Sequence, residues 1–440
     1  MSIGNLIDES EKRFAVYMAG LASVLKHADR SRPLKDYCTG LVMPGERKSV
    51  EPMAAVTAPG RVCAQHQSLL HFVGEAAWSD QRLLAKVREM VLPAMERQES
   101  IQAWIIDATG FPKKGKHAVG VARQYCGQLG KQDNCQAAVS LSLTNHMVSL
   151  PVAYRLYLPR EWAKDRARRV KAGVAKEIRF QTKPQIALEQ IRSACKAGLP
   201  RGTVLMEAGY GANTKLRTRV TELGLSYVAG ILPQTKMWVK GKRRPISVEK
   251  LARCLPDKAW RTIAWREGTA EKLSSRFARV RIRVTHRDAL SGARADEWLL
   301  IEWPTGEKKP TKYWLSTLPE DIAFEHLVDT AKLRWRIERD YQELKQEVGL
   351  GHFEGRGWRG FHHHASLCIA SYGFLISERE TIPPSGPYAS RRFPEASLPA
   401  GYRPRGAAST NSTPHAQLDS NRALPVDPGT CQKFAPLPML

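Results

Sequence analysis

Glu338 stands in the run AKLRWRIERDYQELKQEVGL, with Arg334 four residues before it and Lys345 seven after. On a helix of 3.6 residues per turn these three side chains fall within ~40° of arc. Ile337, Tyr341, Leu344 and Val348 form an apolar stripe beside them. A carboxylate between two cations at the edge of a buried stripe points inward to a site, with oxygens for a metal ion and neighbours for a phosphate. The same spacing also describes a solvated helix face with i,i+4 charge pairs.

Two further acids stand at the ends of strand-like runs. Asp107 closes IQAWIID, and Glu207 closes GTVLME before the turn AGYG. In open α/β sheets, sites form beyond the carboxyl ends of strands, so acids from two strand ends and one helix can converge. Carboxylates are hard oxygen ligands suited to magnesium or manganese. Two such ions ~3.5–4 Å apart can hold both the attacking and the leaving oxygen of a phosphodiester. On this reading Asp107, Glu207 and Glu338 are catalytic residues and metal ligands of a two-ion site, and Arg334 and Lys345 contact the scissile or neighbouring phosphates. Taken singly, Asp107 also reads as a capping or turn residue, and Glu207 as an exposed strand-end carboxylate.

The elements that must position these acids follow from hydrophobic period. Residues 1–95 are mostly helical, with a Pro/Gly-interrupted stretch between two periodic segments and Ser79 before Asp80 as an N-cap. Residues 96–234 carry strand-like runs in IQAWIID, NCQAAVSLSL and MVSLPVAYRLYLP. The last two are separated by a turn at Thr144, Asn145 and His146. A helix closed by Gly198, the strand GTVLME, a second helix and the strand LSYVAGIL follow. That alternation implies parallel pairing with covered faces. Residues 235–310 alternate as antiparallel strands and read as an insertion. Residues 311–380 return to the α/β unit, with YWLSTLP as a strand, the Glu338 helix and a final helix through HHHASLCIASYGFL. Residues 381–440, rich in Pro, Ser, Gly and Ala, read as a disordered tail.

Composition narrows the class of partner. The 440-residue chain has 68 Lys and Arg against 43 Asp and Glu, a formal net charge of +25. Such an excess favours a polyanion, above all nucleic acid. No apolar run near 20 residues and no basic amphipathic helix points to a membrane. The polar start lacks a signal-peptide pattern, and the eight cysteines form no CxxC pair, so reduced thiols in a cytoplasm are expected. Lys113, Lys114 and Lys116, in PKKGKH just after Asp107, are expected to clamp DNA phosphates. Three consecutive histidines, His362 to His364, cannot share one ion on a helix and read as structural or DNA-facing. Trp335 and Trp358 read as packing residues, and Cys126 and Cys135 as small buried apolar ones.

WIIDATGFPKKGKHAVGVARQYCGQLGKQDNCQAAVSLSL, TVLMEAGYG and LRWRIERDYQELKQEVGLGHFEGRGWRGFHHHASLCIASYGFL resemble the three catalytic blocks of DDE transposases from bacterial insertion sequences, in the branch numbered seven-zero-one. The resemblance runs from about residue 10 to 388. It implies a ribonuclease H-like core in two parts, interrupted by a mainly antiparallel β insertion. It also implies double-stranded DNA as partner (element ends and target), a homodimer or larger synaptic assembly, and work at the nucleoid. The third block's wider signature, Tyr-x2-Arg-x3-Glu-x6-Lys, is matched by Arg334, Glu338 and Lys345, with Ala331 at the Tyr position. The first block reads Asp107-Ala108-Thr109 where the family commonly has Asp-Asp-Thr. Either Asp107 is the ligand, or the ligand position is Ala108 and is lost. The second block has Glu207 where Asp is usual. A cleavage-impaired protein that only binds DNA, and a host nuclease of the same fold, are the alternatives these departures leave.

Overall fold

The computed structural model describes residues 3–239, 244–267, 272–284 and 296–381. The predicted tail beyond 381 lies outside them. Five α-helices precede the first strand among the described residues: α1 (Ile3–Ala22), α2 (Ser31–Val42), α3 (Val50–Thr57), α4 (Val62–Gly74) and α5 (Asp80–Met95). Ser79 caps α5 as expected, its hydroxyl accepting from the Arg82 N–H.

The α/β part begins with β1 (Ala103–Pro112), β2 (Ala122–Cys126), β3 (Lys131–Thr144) and β4 (Ser149–Leu156). The basic stretch after β4 forms short helices α6 (Arg160–Lys164) and α7 (Arg166–Lys171). Then come α8 (Lys183–Lys196), β5 (Thr203–Met206), the single-turn α9 (Ala208–Gly211), α10 (Thr214–Glu222) and β6 (Tyr227–Gly230). Gly198 follows α8 in the left-handed region, at φ 67°. β1, β5 and β6 pair in parallel, as the strand–helix alternation implies. β3 pairs antiparallel with β1, β2 and β4.

The next segment holds β7 (Lys236–Trp238), β8 (Ile246–Ser247), α11 (Val248–Arg253), β9 (Arg261–Glu267), β10 (Lys272–Val284), β11 (Glu297–Pro304) and β12 (Lys312–Ser316). Its ladders are antiparallel, and β12 pairs antiparallel with β6. One sheet therefore runs through both parts, in the order β2-β3-β1-β5-β6-β12-β11-β10-β7-β8, with β4 on β3 and β9 on β10.

The described residues close with α12 (Phe324–Lys332), a 3-10 turn (Leu333–Trp335), α13 (Arg336–Gln342), a π-turn (Glu343–Glu347) and α14 (Trp358–Thr381). Phe324, Leu327 and Val328 of α12 and Ile337 and Tyr341 of α13 pack onto Ala103, Ile105, Leu205, Val228, Phe277 and Leu300 of the sheet. This core spans parallel and antiparallel strands alike. α14 packs on α5, α2, α4 and β4. Tyr17 donates to the Ala370 carbonyl at 2.9 Å, and Arg13 grips Glu378 at 2.6 and 2.7 Å.

His362, His363 and His364 are all buried, and each bonds to a backbone group. Burial pushes His363 and His364 down to about 4. Their role is structural, as one of the two expectations held. Cys126 and Cys135 are fully buried. Among the described residues no helix is long and apolar enough to cross a membrane.

Candidate active site

β1 is longer than the sequence suggests. The run IQAWIID was expected to end at Asp107, but Asp107 is the fifth of ten strand residues. Its antiparallel pairing with β3 carries β1 on to Pro112. Only the parallel pairing stops early, at Ile106 with Met206. Asp107 and Glu207 are therefore the residues immediately past the last parallel pair. Glu207 lies just outside β5, as the cap residue of α9.

Strand alternation settles which neighbour faces the core helices. Ala103 and Ile105 on β1 and Leu205 on β5 pack against α12 and α13. Asp107 and Glu207 continue the same faces. The Asp107 carboxylate accordingly meets Arg334, whose Nη1 lies 3.6 Å from Oδ2. Arg334 Nη2 lies 3.9 Å from Glu207 Oε2. Arg334 Nη1 is buried without a hydrogen-bond partner.

Glu338, exposed on α13, lines the same cleft of about 530 Å³ as Asp107, Ala108, Glu207, Tyr341 and Lys345. Burial pushes the Asp107 carboxyl up to about 6; Arg334 opposes this, and the charges of Glu207 and Glu338 add to it. The structure thus brings the three acids to one cavity. Their segment is no uniform α-helix, since a 3-10 turn precedes α13 and a π-turn follows it. Single-turn π insertions are frequent at functional sites.

Lys345 sits in that π-turn. Its ammonium donates to the Gly110 carbonyl at 2.8 Å and to Gln128 Oε1 at 3.3 Å. Burial pushes it down to about 8. Of the loop cations after β1, Lys114 and Lys116 are exposed. Lys113 turns inward, donating to the Phe353 carbonyl at 2.6 Å. Ala331, at the expected Tyr position, packs in the core.

Two features escape a reading of the sequence. Tyr341 looks like one more apolar stripe residue, yet its hydroxyl lies 2.7 Å from Ser140 Oγ, on the residue paired with Asp107. Lys183 opens α8 inside an ordinary Thr182–Gln185 capping box, which signals a helix start and no chemistry, yet it lines the acid cleft.

The donor type suits a divalent cation, since three carboxylates, hard oxygen ligands, line one cleft. Among the described residues, no three His, Cys, Asp or Glu side chains stand close enough to share one ion. The guanidinium of Arg334 lies beside Asp107 and Glu207 instead.

The family described as DDE superfamily endonuclease matches residues 20–272, which hold Asp107 and Glu207. The family described as transposase DDE domain matches residues 174–374, which hold Glu207 and Glu338. The chain is 25% identical over 317 residues to the probable transposase for insertion sequence element IS701 of Microchaete diplosiphon, covering 71% of this chain and 74% of that protein. The chain belongs to the DDE superfamily of endonucleases and carries a transposase DDE domain.

Proposed function

We propose that this transposase cleaves and rejoins DNA at insertion-sequence ends with Asp107, Glu207 and Glu338 as its catalytic carboxylates. The convergence of these three acids on one cleft carries the reading. They would hold magnesium or manganese in a two-ion site, and when bound the metal would polarise the phosphodiester and activate the attacking oxygen. Glu338 is exposed and able to swing toward a cation. Asp107 is fixed by its strand and Glu207 by the turn into α9. Arg334 and Lys345 supply positive charge along the cleft, and Lys114 and Lys116 extend it over the loop. Lys113 serves that loop from inside, by tying it to Phe353.

The sheet order β4-β3-β1-β5-β6 supports reading residues 96–234 and 311–380 as a ribonuclease H-like core, with 235–310 as its insertion. Residues 1–95 are our choice for end recognition. A homodimer or larger synaptic assembly would bring two ends together at the nucleoid, in the cytoplasm.

The test is metal-dependent cleavage of a duplex carrying the element end by the full chain. Cleavage with joined products, abolished by Glu338→Ala at unchanged DNA affinity, is expected. Cleavage without joining would indicate a nuclease. Binding without cleavage would sink the catalytic assignment and leave a DNA-binding remnant.

A further inference from the structure

Lys183 joins two clefts. It lines the acid cleft and a second one of about 440 Å³, and the two cavities share Ala108, Lys183 and Glu207. Gln124, Tyr157 and Tyr210 line the far side of the second cleft. A path therefore leads from the three acids, past Lys183, along β2 and the start of α8.

The state of this lysine is unusual. Burial pulls its ammonium below the ordinary range, while the charges of Glu207 and Asp107 act against that, so it lies in their field. Among the described residues it forms no hydrogen bond or ion pair; its contact is the Tyr157 ring, 5.6 Å from the ammonium to the centroid. The other cations of the site are held: Arg334 by carboxylates, Lys345 and Lys113 by backbone carbonyls. Lys183 is also the first residue of α8, where the helix dipole disfavours a cation. A half-buried, unpaired ammonium against a dipole is costly in the free protein. An arriving anion would offset that cost.

Resting on the catalytic reading above, we propose that Lys183 binds a phosphate of the DNA strand that runs from the acid cleft into the neighbouring one. It thereby positions the nucleotide next to the scissile bond. The ligand is a phosphodiester, held by a compact charge.

The salt dependence of DNA binding tests this without any cleavage. The full chain and its Lys183→Gln, Lys183→Met and Lys183→Arg variants are titrated with a fluorescein-labelled duplex of mixed sequence, in EDTA, over a fourfold range of KCl. One lost phosphate contact lowers the slope of log K against log salt by about 0.9. The wild-type affinity should therefore fall about threefold more across that range than those of the Gln and Met variants. Lys183→Arg should restore the slope, a rescue that a purely packing role would not give. Melting curves confirm that the variants are folded, and the Met variant keeps the apolar stem if Gln does not fold. A wild-type slope unchanged in both neutral variants overturns the inference and leaves the proposed function standing. A wild type with no salt-dependent binding overturns both.

Discussion

The Tyr341 hydroxyl lies 2.7 Å from Ser140 Oγ, and Ser140 is the antiparallel partner of Asp107. One hydrogen bond thus ties α13, three residues after Glu338, to the strand beside the first acid. Tyr341→Phe keeps the ring in the core but leaves a buried hydroxyl without its partner. Stability should fall by about 1–2 kcal/mol. Cleavage should slow by about tenfold as the two acids lose their shared register. A melting curve and a single-turnover cleavage rate check both, and unchanged cleavage would deny the tie a part in positioning.

A second tie links β11 to α12. Lys332 Nζ lies 2.7 and 3.0 Å from the two oxygens of the buried Glu302, and 3.9 Å from the centroid of the Trp265 ring. Lys332→Met leaves that carboxylate with Ser275 Oγ at 2.9 Å and Lys312 Nζ at 4.0 Å and should cost about 3 kcal/mol. Adding Glu302→Leu should recover much of the loss, because the under-compensated buried charge goes with it. Chemical denaturation of both variants makes the comparison.

His146 is held from two sides, by Glu99 at 2.6 Å on Nδ1 and by Asp329 at 2.6 Å on Nε2. The bond to Asp329 is the main cause of a rise to about 9 from 6.5; Glu99 adds to it and burial opposes it. With the folded value raised, the stabilisation is complete below about pH 6.5 and is lost as pH rises through about 9. All three side chains are partly exposed, so solvent screens the pairs and each should add no more than about 1 kcal/mol. The difference in Tm between wild type and His146→Gln should shrink across that window. A constant difference would show that the bridge does not titrate there.

Gly211 closes α9 so near β6 that a Cβ would overlap the Gly230 carbonyl oxygen. Gly211→Ala must push α9 off the sheet, and Glu207 with it. A loss of about 3 kcal/mol, with weakened cleavage, is expected. Melting and cleavage measured together check it.

The legible part of the site was its spacing. Arg334, Glu338 and Lys345 could be placed on one side of a helical segment because 3-10 and π turns tighten and loosen the backbone while the segment's inner side stays on the sheet. Asp107 was legible as an acid on a strand, but its place within that strand was not. Where β1 ends depends on its ladder with β3, in which Pro112 pairs with the distant Cys135. The parallel pairing of β1, β5 and β6 followed from the alternation of strands and helices. Lys183 and the Tyr341 hydroxyl were invisible because only tertiary packing distinguishes them from a surface lysine and a core ring. Lys113 differs from Lys114 only in which way the loop turns, and residue type carries no sign of that.

The ladder between β12 and β6 has a practical consequence for anyone trimming this protein. Excising the segment between β6 and α12 would strip β6 of its outer neighbour and leave a bare row of amide and carbonyl groups beside the acid cleft. Such an edge recruits other chains. A shortened version built from the remaining pieces should therefore self-associate, and would need β12 kept, or a charged or proline-bearing substitute strand, to stay monodisperse.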